Sequence, residues 1–275
     1  MKVAHLILTL FLAPILSWAG PIHTIYGGSQ KSTYQVIAQD IASACPSMGF
    51  VAQSTGGALD NLNSLITEPV VISGGRFALI QSDVLDVVFS TAPRTRLSIK
   101  KIIPLYTEEI LLVANRAAQI RSIDDLNGKK VVIGSPKSGG WFTANHIKIA
   151  HHLHWFAIEK PLEESLLQVL TGDADVAVVV GGTPVRILDE LGQNLASRIE
   201  VIPVTIPGYS AGSVKSSAYP WVTHDSSTAT TTAWLVASSD VSERDVNFLM
   251  SCLSKALPKL RATGHKKWSE VTLRN

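Results

Sequence analysis

The chain has 275 residues, 24 Lys and Arg against 22 Asp and Glu, and a formal charge of +2. This near-neutral balance provides no broad basic field, which excludes a nucleic-acid binder of that kind. With 46% hydrophobic and 17% charged residues the chain can bury a core and is not intrinsically disordered; its length suits one large domain or two of roughly 100–150 residues.

Met1-Lys2 is followed by an apolar stretch over 3–16, interrupted by His5 and Thr9, and then by Ser17-Trp18-Ala19. Small residues at the −3 and −1 positions of a cut before Gly20 complete a secretory signal peptide. The apolar stretch is too short for a comfortable membrane span. The expectation is a soluble, exported chain beginning at Gly20, with the signal peptide cleaved after Ala19. No Cys stands at the cut, so a lipoprotein anchor is not indicated. The two cysteines, Cys45 and Cys252, exclude a disulfide scaffold and a four-cysteine zinc site. An oxidising compartment permits them to pair.

A short strand over 23–26 runs into Gly27-Gly28-Ser29. A helix over 33–44 follows, with Val36, Ile37, Ile41 and Ala44 at helical spacing. Next come a strand over 50–53, a helix over 58–66 and a strand over 77–80. Ser82-Asp83 then opens a further helix. Strands over 102–105 and 110–114 precede one over 129–133, a Gly/Ser loop and a helix over 142–154. A helix over 163–170 leads to the wholly apolar strand 176–180, a pattern suited to burial on both faces. A helix over 183–191 and a strand near 201–205 follow. A Gly, Ser and Pro-rich stretch extends to Thr232, before a strand over 233–237 and a closing helix over 243–260. This alternation predicts an α/β protein with largely parallel sheets.

A strand passes through a Gly/Ser loop into a helix at 26–33, again at 134–142, and more weakly at Gln81-Ser82-Asp83. Such loops present N–H and hydroxyl donors at helix starts, where anions are favoured. Ordinary capping accounts for any one of them. Two long ones, one in each half of the chain, point to a small acidic ligand held between two lobes.

Other motifs carry less. Gly134-Ser135-Pro136-Lys137-Ser138-Gly139 begins like a phosphate-binding P-loop, but Gly140-Trp141 stands where Lys and Ser or Thr are needed. Gly208-Tyr209-Ser210-Ala211-Gly212 matches the nucleophile elbow of serine hydrolases, and Asp225, Asp240 and His265 supply the remaining chemistry in order. The flanking Pro207 and Pro220 read as loop, so a secreted serine hydrolase using Ser210 is the alternative function. His151 and His154 stand three apart at a spacing that can share a metal, but a solvated helix end accounts for them better. Trp141 and Trp221 lie in Gly/Ser/Pro loops and are the tryptophans to suspect of ligand contact.

Across most of the chain beyond the signal peptide, these elements resemble the TAXI-type solute receptors of TRAP transporters. The resemblance rests on Gly28-Ser29 with Thr33-Tyr34, Ser54-Thr55-Gly56-Gly57 with Asn61-Leu62, and residues 78–83 ending in Gln81-Ser82-Asp83. It continues through residues 102–106, 120–131, Gly134-Ser135-Pro136 with Ser138-Gly139, residues 172–177, Gly181-Gly182-Thr183-Pro184 and Tyr219-Pro220. The chain departs from the family at Ser32 to Val36, at Ala58 and Gly140, and in an apparent insertion over 67–73.

The resemblance implies a two-lobe α/β clamshell of the type II periplasmic-binding-protein class, with the ligand cleft between the lobes. Lobe one is expected to comprise 20–105 plus 226–275, and lobe two 106–225. The implied function is a periplasmic receptor, not an enzyme, that captures a small organic anion, dicarboxylate or glutamate-like, and passes it to TRAP membrane subunits. A monomer with no cofactor and no metal is expected. The implied ligand-binding residues are Gly28, Ser29, Thr33, Tyr34, Thr55, Gly56, Gly57, Gln81 and Ser82 from lobe one, with Ser138, Gly139 and Gly182 from lobe two. Backbone N–H groups at Gly28, Gly57 and Gly139 are expected to carry much of the anion binding. Cys45 and Cys252 both fall in lobe-one helices, and a disulfide between them is expected.

Overall fold

The computed structural model describes residues 22–67 and 74–273. The expected signal peptide and most of the 67–73 insertion lie outside them. The strands are β1 (Thr24–Tyr26), β2 (Val51–Gln53), β3 (Arg76–Gln81), β4 (Ile99–Asn115), β5 (Lys130–Val132), β6 (Phe156–Ile158), β7 (Val176–Gly181), β8 (Ile199–Ile202), β9 (Ser210–Val214) and β10 (Ser226–Ser238). The helices are α1 (Thr33–Ala44), α2 (Ala58–Thr67), α3 (Ser82–Thr91), α4 (Gly139–Ala150), α5 (Leu162–Thr171), α6 (Arg186–Asp189), α7 (Gln193–Ala196) and α8 (Glu243–Thr263).

Local chemistry sets many helix boundaries. Ser32, Ser138 and Ser242 are extended residues whose hydroxyls accept from Gln35, Trp141 and Asp245 N–H groups, opening α1, α4 and α8. Gly172, at φ 83°, ends α5 in the left-handed region.

The strands hydrogen-bond in the order β2-β1-β3-β10-β4-β7-β5-β6, with β8 added on β4 and β9 on β10. The outer neighbours are parallel, β1 with β2 and β3, and β5 with β6 and β7. The central pairings of β10 with β3, and of β4 with β10 and β7, are antiparallel. The expectation of largely parallel sheets therefore holds at the two ends and fails in the middle. There, two long strands connect the lobes and run against their neighbours.

Strand β4 replaces the two short strands expected over 102–105 and 110–114. Its first part, through Tyr106, pairs with β10 residues that also pair with β3. Its second part, from Glu109, pairs with β7 and β8. Residues Ser226–Thr230 of β10 likewise pair with β9 in the second lobe. Both long strands thus pass from one lobe into the other.

The cores follow this division. One cluster gathers Ile25, Ile37, Ile41, Leu62, Phe77, Leu79, Leu235 and Leu253. In the second lobe, Ile110, Leu112, Val131, Val176 and Val178 face one cluster, while Leu111, Val113, Val132, Ala177 and Val179 face another. Successive side chains on opposite faces, both buried, explain the uninterrupted apolar runs of β4 and β7.

Further differences have tertiary causes. The helix expected over 183–191 is reduced to α6, and the segment before it is held by the N–H groups of Thr183 and Val185, which donate to Glu109 and to the Tyr219 hydroxyl. The helix expected over 142–154 starts earlier, at the Ser138 cap, and stops at Ala150, with His152 at φ 52° in the turn that follows. Strand β9 lies within the Gly/Ser/Pro-rich stretch and exists through its pairing with β10. Cys45, just beyond α1, and Cys252 on α8 are joined by a disulfide with a Cα separation of 5.9 Å.

Candidate functional site

The loops at the carboxyl ends of β1 and β3 in lobe one face those of β5 and β7 in lobe two across a cavity of about 410 Å³. Asn61 on α2 organises the first side. Its fully buried amide donates to the carbonyls of Gly27 at 2.7 Å and Leu79 at 2.8 Å, tying the ends of β1 and β3 together. The Thr55 hydroxyl donates to Asn61 Oδ1 at 2.6 Å and accepts the Gly57 N–H at 3.2 Å. The Ser54 hydroxyl and the Thr55 N–H both donate to the Gly28 carbonyl.

On the opposite side, the turn between β5 and α4 brings Lys137 into the left-handed region at φ 69°. Its carbonyl accepts the N–H groups of Leu59 at 3.1 Å and Asp60 at 3.2 Å, so a lobe-two loop caps a lobe-one helix. The close approach restricts what fits. A Cβ added at Gly139 would lie 1.8 Å from Gln81 Oε1, and Gly57 combines φ 115° with contact against Ser138.

A polar chain crosses between the lobes behind this cavity. Gln81 Nε2 donates to Thr143 Oγ1 at 2.9 Å, and Thr143 donates to Asp83 Oδ2 at 2.9 Å. The Tyr209 hydroxyl donates to the same carboxylate oxygen at 2.6 Å. Burial, together with the Asp83 charge, pushes the Tyr209 phenol up from its ordinary value.

Glu108, on the part of β4 that crosses between lobes, lines the cavity while only 2% exposed. Its Oε2 accepts the buried Tyr34 hydroxyl at 2.7 Å. Burial pushes its carboxyl up to about 8; the Tyr34 hydrogen bond pulls the other way, Asp83 and Glu109 add to the rise, and Lys267 opposes it. The neighbouring Glu109 is paired with Lys267 at 2.7 Å and accepts the Thr183 N–H at 2.9 Å. Lys267 also reaches Glu270 at 2.7 Å.

Among the residues expected to bind ligand, Gly28, Ser29, Thr33, Tyr34, Thr55, Gly56, Gly57, Gln81, Ser138 and Gly139 line this cavity. Ser82 and Gly182 do not. The Ser82 hydroxyl shares a 2.9 Å hydrogen bond with Thr231 and faces a second groove beside Asp83 and Tyr209. Gly182 packs against Tyr106 and Lys267, and its carbonyl accepts the Thr33 hydroxyl at 3.0 Å. Glu108 and Glu163 also line the cavity and were not singled out from the sequence. The available signal was the acidic pair Glu108-Glu109 between two apolar runs, which reads as a surface turn unless the runs form one strand.

The other motifs come apart in three dimensions. Ser210 opens a strand, not a strand–turn–helix elbow. Asp225 pairs with Lys215, Asp240 with Arg76, and the His265 ring meets the Pro184 carbonyl. The hydrolase alternative therefore loses its geometry. Trp141 donates to Glu159, while Trp221 stacks on Tyr219 and donates to the Leu188 carbonyl. The His151 ring lies 2.8 Å from the Thr205 carbonyl. Among the described residues, no group of three or more His, Cys, Asp or Glu gathers as a metal site, and no helix is long and apolar enough to cross a membrane.

Several solved structures share this architecture. A periplasmic transporter superposes with a TM-score of 0.61 at 12% identity, covering 90% of this chain and 86% of its own. A TctC solute binding protein from Polaromonas gives 0.52 at 13% identity, with 92% and 88% covered. A protein from R. palustris, solved with adipate, gives 0.55 at 14% identity, with 90% and 88% covered. The fold is the two-lobe α/β architecture of these proteins. The profile of the NMT1-like family matches residues 25–275.

Proposed function

The chain belongs to the NMT1-like family, and we propose that it is an extracytoplasmic solute receptor that captures a small organic acid and delivers it to a membrane transporter. The observation that carries this reading is the cavity between the lobes, walled by Gly, Ser and Thr loops from both. Concave sites with a few convergent polar groups are where small ligands bind. Binding across such a cleft gives closure a direct energetic reason, because both lobes supply parts of its wall.

The ligand class proposed is a small organic anion, dicarboxylate or glutamate-like. The N–H groups of Gly139 and Gly140, at the start of α4, have no acceptor among the described residues and border the cavity. They suit a carboxylate at a helix N-terminus. The resemblance to TAXI-type receptors supports TRAP membrane subunits as the partner. The signal-peptide pattern supports a periplasmic location after cleavage at Ala19, and a monomeric receptor completes the reading. The lobes are taken as 20–105 plus 226–275 and 106–225, with the crossings inside β4 and β10.

A thermal-shift screen of dicarboxylates and amino acids on the mature chain, followed by calorimetric titration, tests the reading. Saturable stabilisation without turnover is the expected result. Turnover of a carboxylic ester, with an organophosphonate labelling Ser210, would overturn it.

A further inference from the structure

The charges around the cavity do not match a simple dianion. The charged residues that line it are Glu108 and Glu163, and none of the described lining residues is Lys, Arg or His. The nearby Lys267 is committed to Glu109 and Glu270. A dicarboxylate would bring two negative charges to a wall that offers no cationic side chain and two carboxyl groups, one of them the buried Glu108. Backbone N–H groups at α4 can take one of them; the other end of the cavity offers a carboxyl group.

Resting on the receptor reading above, we propose that Glu108 is a specificity-determining residue that receives an amino group, so that the cleft takes an amine-bearing acid in preference to a dicarboxylate. Glu108 is nearly buried, stands at the cavity wall, and has one hydrogen-bonding partner among the described residues, the Tyr34 hydroxyl on Oε2. Its Oε1 has no partner among them. That oxygen is not sealed in the protein, and Glu108 stands at the cavity wall, where a ligand donor can reach it. A ligand ammonium supplies a donor to Oε1 and a positive charge that stabilises the carboxylate form. The carboxylate end of the same molecule then lies toward the N–H groups of Gly139 and Gly140.

The proton balance follows. In the empty cleft, burial keeps the Glu108 carboxyl group largely protonated at neutral pH. The titratable groups that act on it are Tyr34 from α1, which hydrogen-bonds it, and, at longer range, Asp83 from α3, Tyr106 and Glu109 on β4, and Lys267 from the C-terminal turn Lys266–Ser269. An arriving ammonium pairs with the carboxylate form, and the carboxyl proton leaves to solvent. Binding therefore releases a proton and tightens as pH rises from about 6 to 8, approaching tenfold per unit below the free group's titration. A ligand carboxylate accepting from a protonated Glu108 would do the opposite, weakening as pH rises through 8.

The test is calorimetric titration of the purified protein with amino acids and their desamino partners, such as glutamate with glutarate and leucine with 4-methylpentanoate. Measurements at pH 6, 7 and 8 in buffers of different ionisation enthalpy count the protons. The expected result is an amino acid that binds at least tenfold more tightly than its desamino partner, with proton release and affinity rising with pH. In a folded Glu108→Gln variant, both the preference and the proton release are lost. Equal or tighter binding of the desamino acids, with affinity falling as pH rises, overturns the assignment of Glu108 and leaves the receptor reading standing. The pH series on the unaltered protein decides this even if the variant fails to fold. Failure of every compound in both series to bind overturns the receptor reading and the assignment with it.

Discussion

The carbonyl of Lys137, on a lobe-two loop, accepts the N–H of Leu59, on a lobe-one helix, at 3.1 Å. Lys137 makes this bond from the left-handed region, at φ 69°. A β-branched residue fits that conformation poorly. Lys137→Val is expected to lower unfolding stability by about 1–2 kcal/mol, and Lys137→Gly to leave it within about 1 kcal/mol. Urea unfolding of both variants checks this; equal stability of the Val and Gly forms would contradict it.

The empty protein carries a pH signature from Glu108. Its folded-state carboxyl is raised from 4.5 to about 8. Between those values the folded state keeps a proton that the unfolded state has lost. This contribution is fully present below about pH 4.5 and is lost as pH rises toward 8. His23 and His265 are pushed down by burial and slope the other way, so the comparison with a variant isolates Glu108. Glu108→Gln should flatten the fall in stability between pH 5 and 8. Parallel curves for the two proteins would show that Glu108 titrates normally.

Gln81 and Ser138 should separate by experiment. The Gln81 amide bridges the lobes to Thr143 at the cavity wall, so Gln81→Ala is expected to weaken the best-binding compound of the screen roughly ten- to a hundredfold. The Ser138 hydroxyl is the N-cap of α4, and Ser138→Ala should also lower stability by about 1 kcal/mol. Titration calorimetry alongside thermal unfolding measures both. Unchanged affinity in both variants would remove these residues from the site.

Lys267 and Glu109 form a buried pair, 4% and 9% exposed, far apart in sequence. Removing one partner strands the other. Lys267→Met is expected to cost about 3–5 kcal/mol, and the Lys267→Met, Glu109→Gln double variant to recover most of it. Chemical unfolding of the wild type, the two single variants and the double variant decides the matter; additive losses would show that the pair is not coupled.

The Cys45–Cys252 disulfide spans 207 residues of sequence. On the chain-entropy model a loop this long stabilises by roughly 3–5 kcal/mol. The Cys45→Ala, Cys252→Ala variant should melt well below the oxidised protein and match the reduced one. Two free thiols by non-reducing mass spectrometry of the purified protein would refute the pairing.

Much of the fold was legible in local chemistry. Helix α1 was expected over 33–44 and spans Thr33–Ala44, because its cap and apolar spacing act within a few residues. The apolar run of β7 announced burial on both faces in the same way. The Gly/Ser loops that line the cavity were visible too, since glycine and serine at helix starts carry their own chemistry. What only the tertiary structure decided depends on partners distant in the chain. Strand β4 is continuous because β10, β7 and β8 supply neighbours along its length, which no local pattern records. Ser82 looked like a cleft residue and turned to Thr231, 149 positions away. Glu108 was not singled out from the sequence, because its partner Tyr34 stands 74 positions away and the neighbouring Glu109 finds Lys267 at 158. A charged residue's burial depends on what folds over it, so its role at the cavity wall emerged only when both lobes were in place.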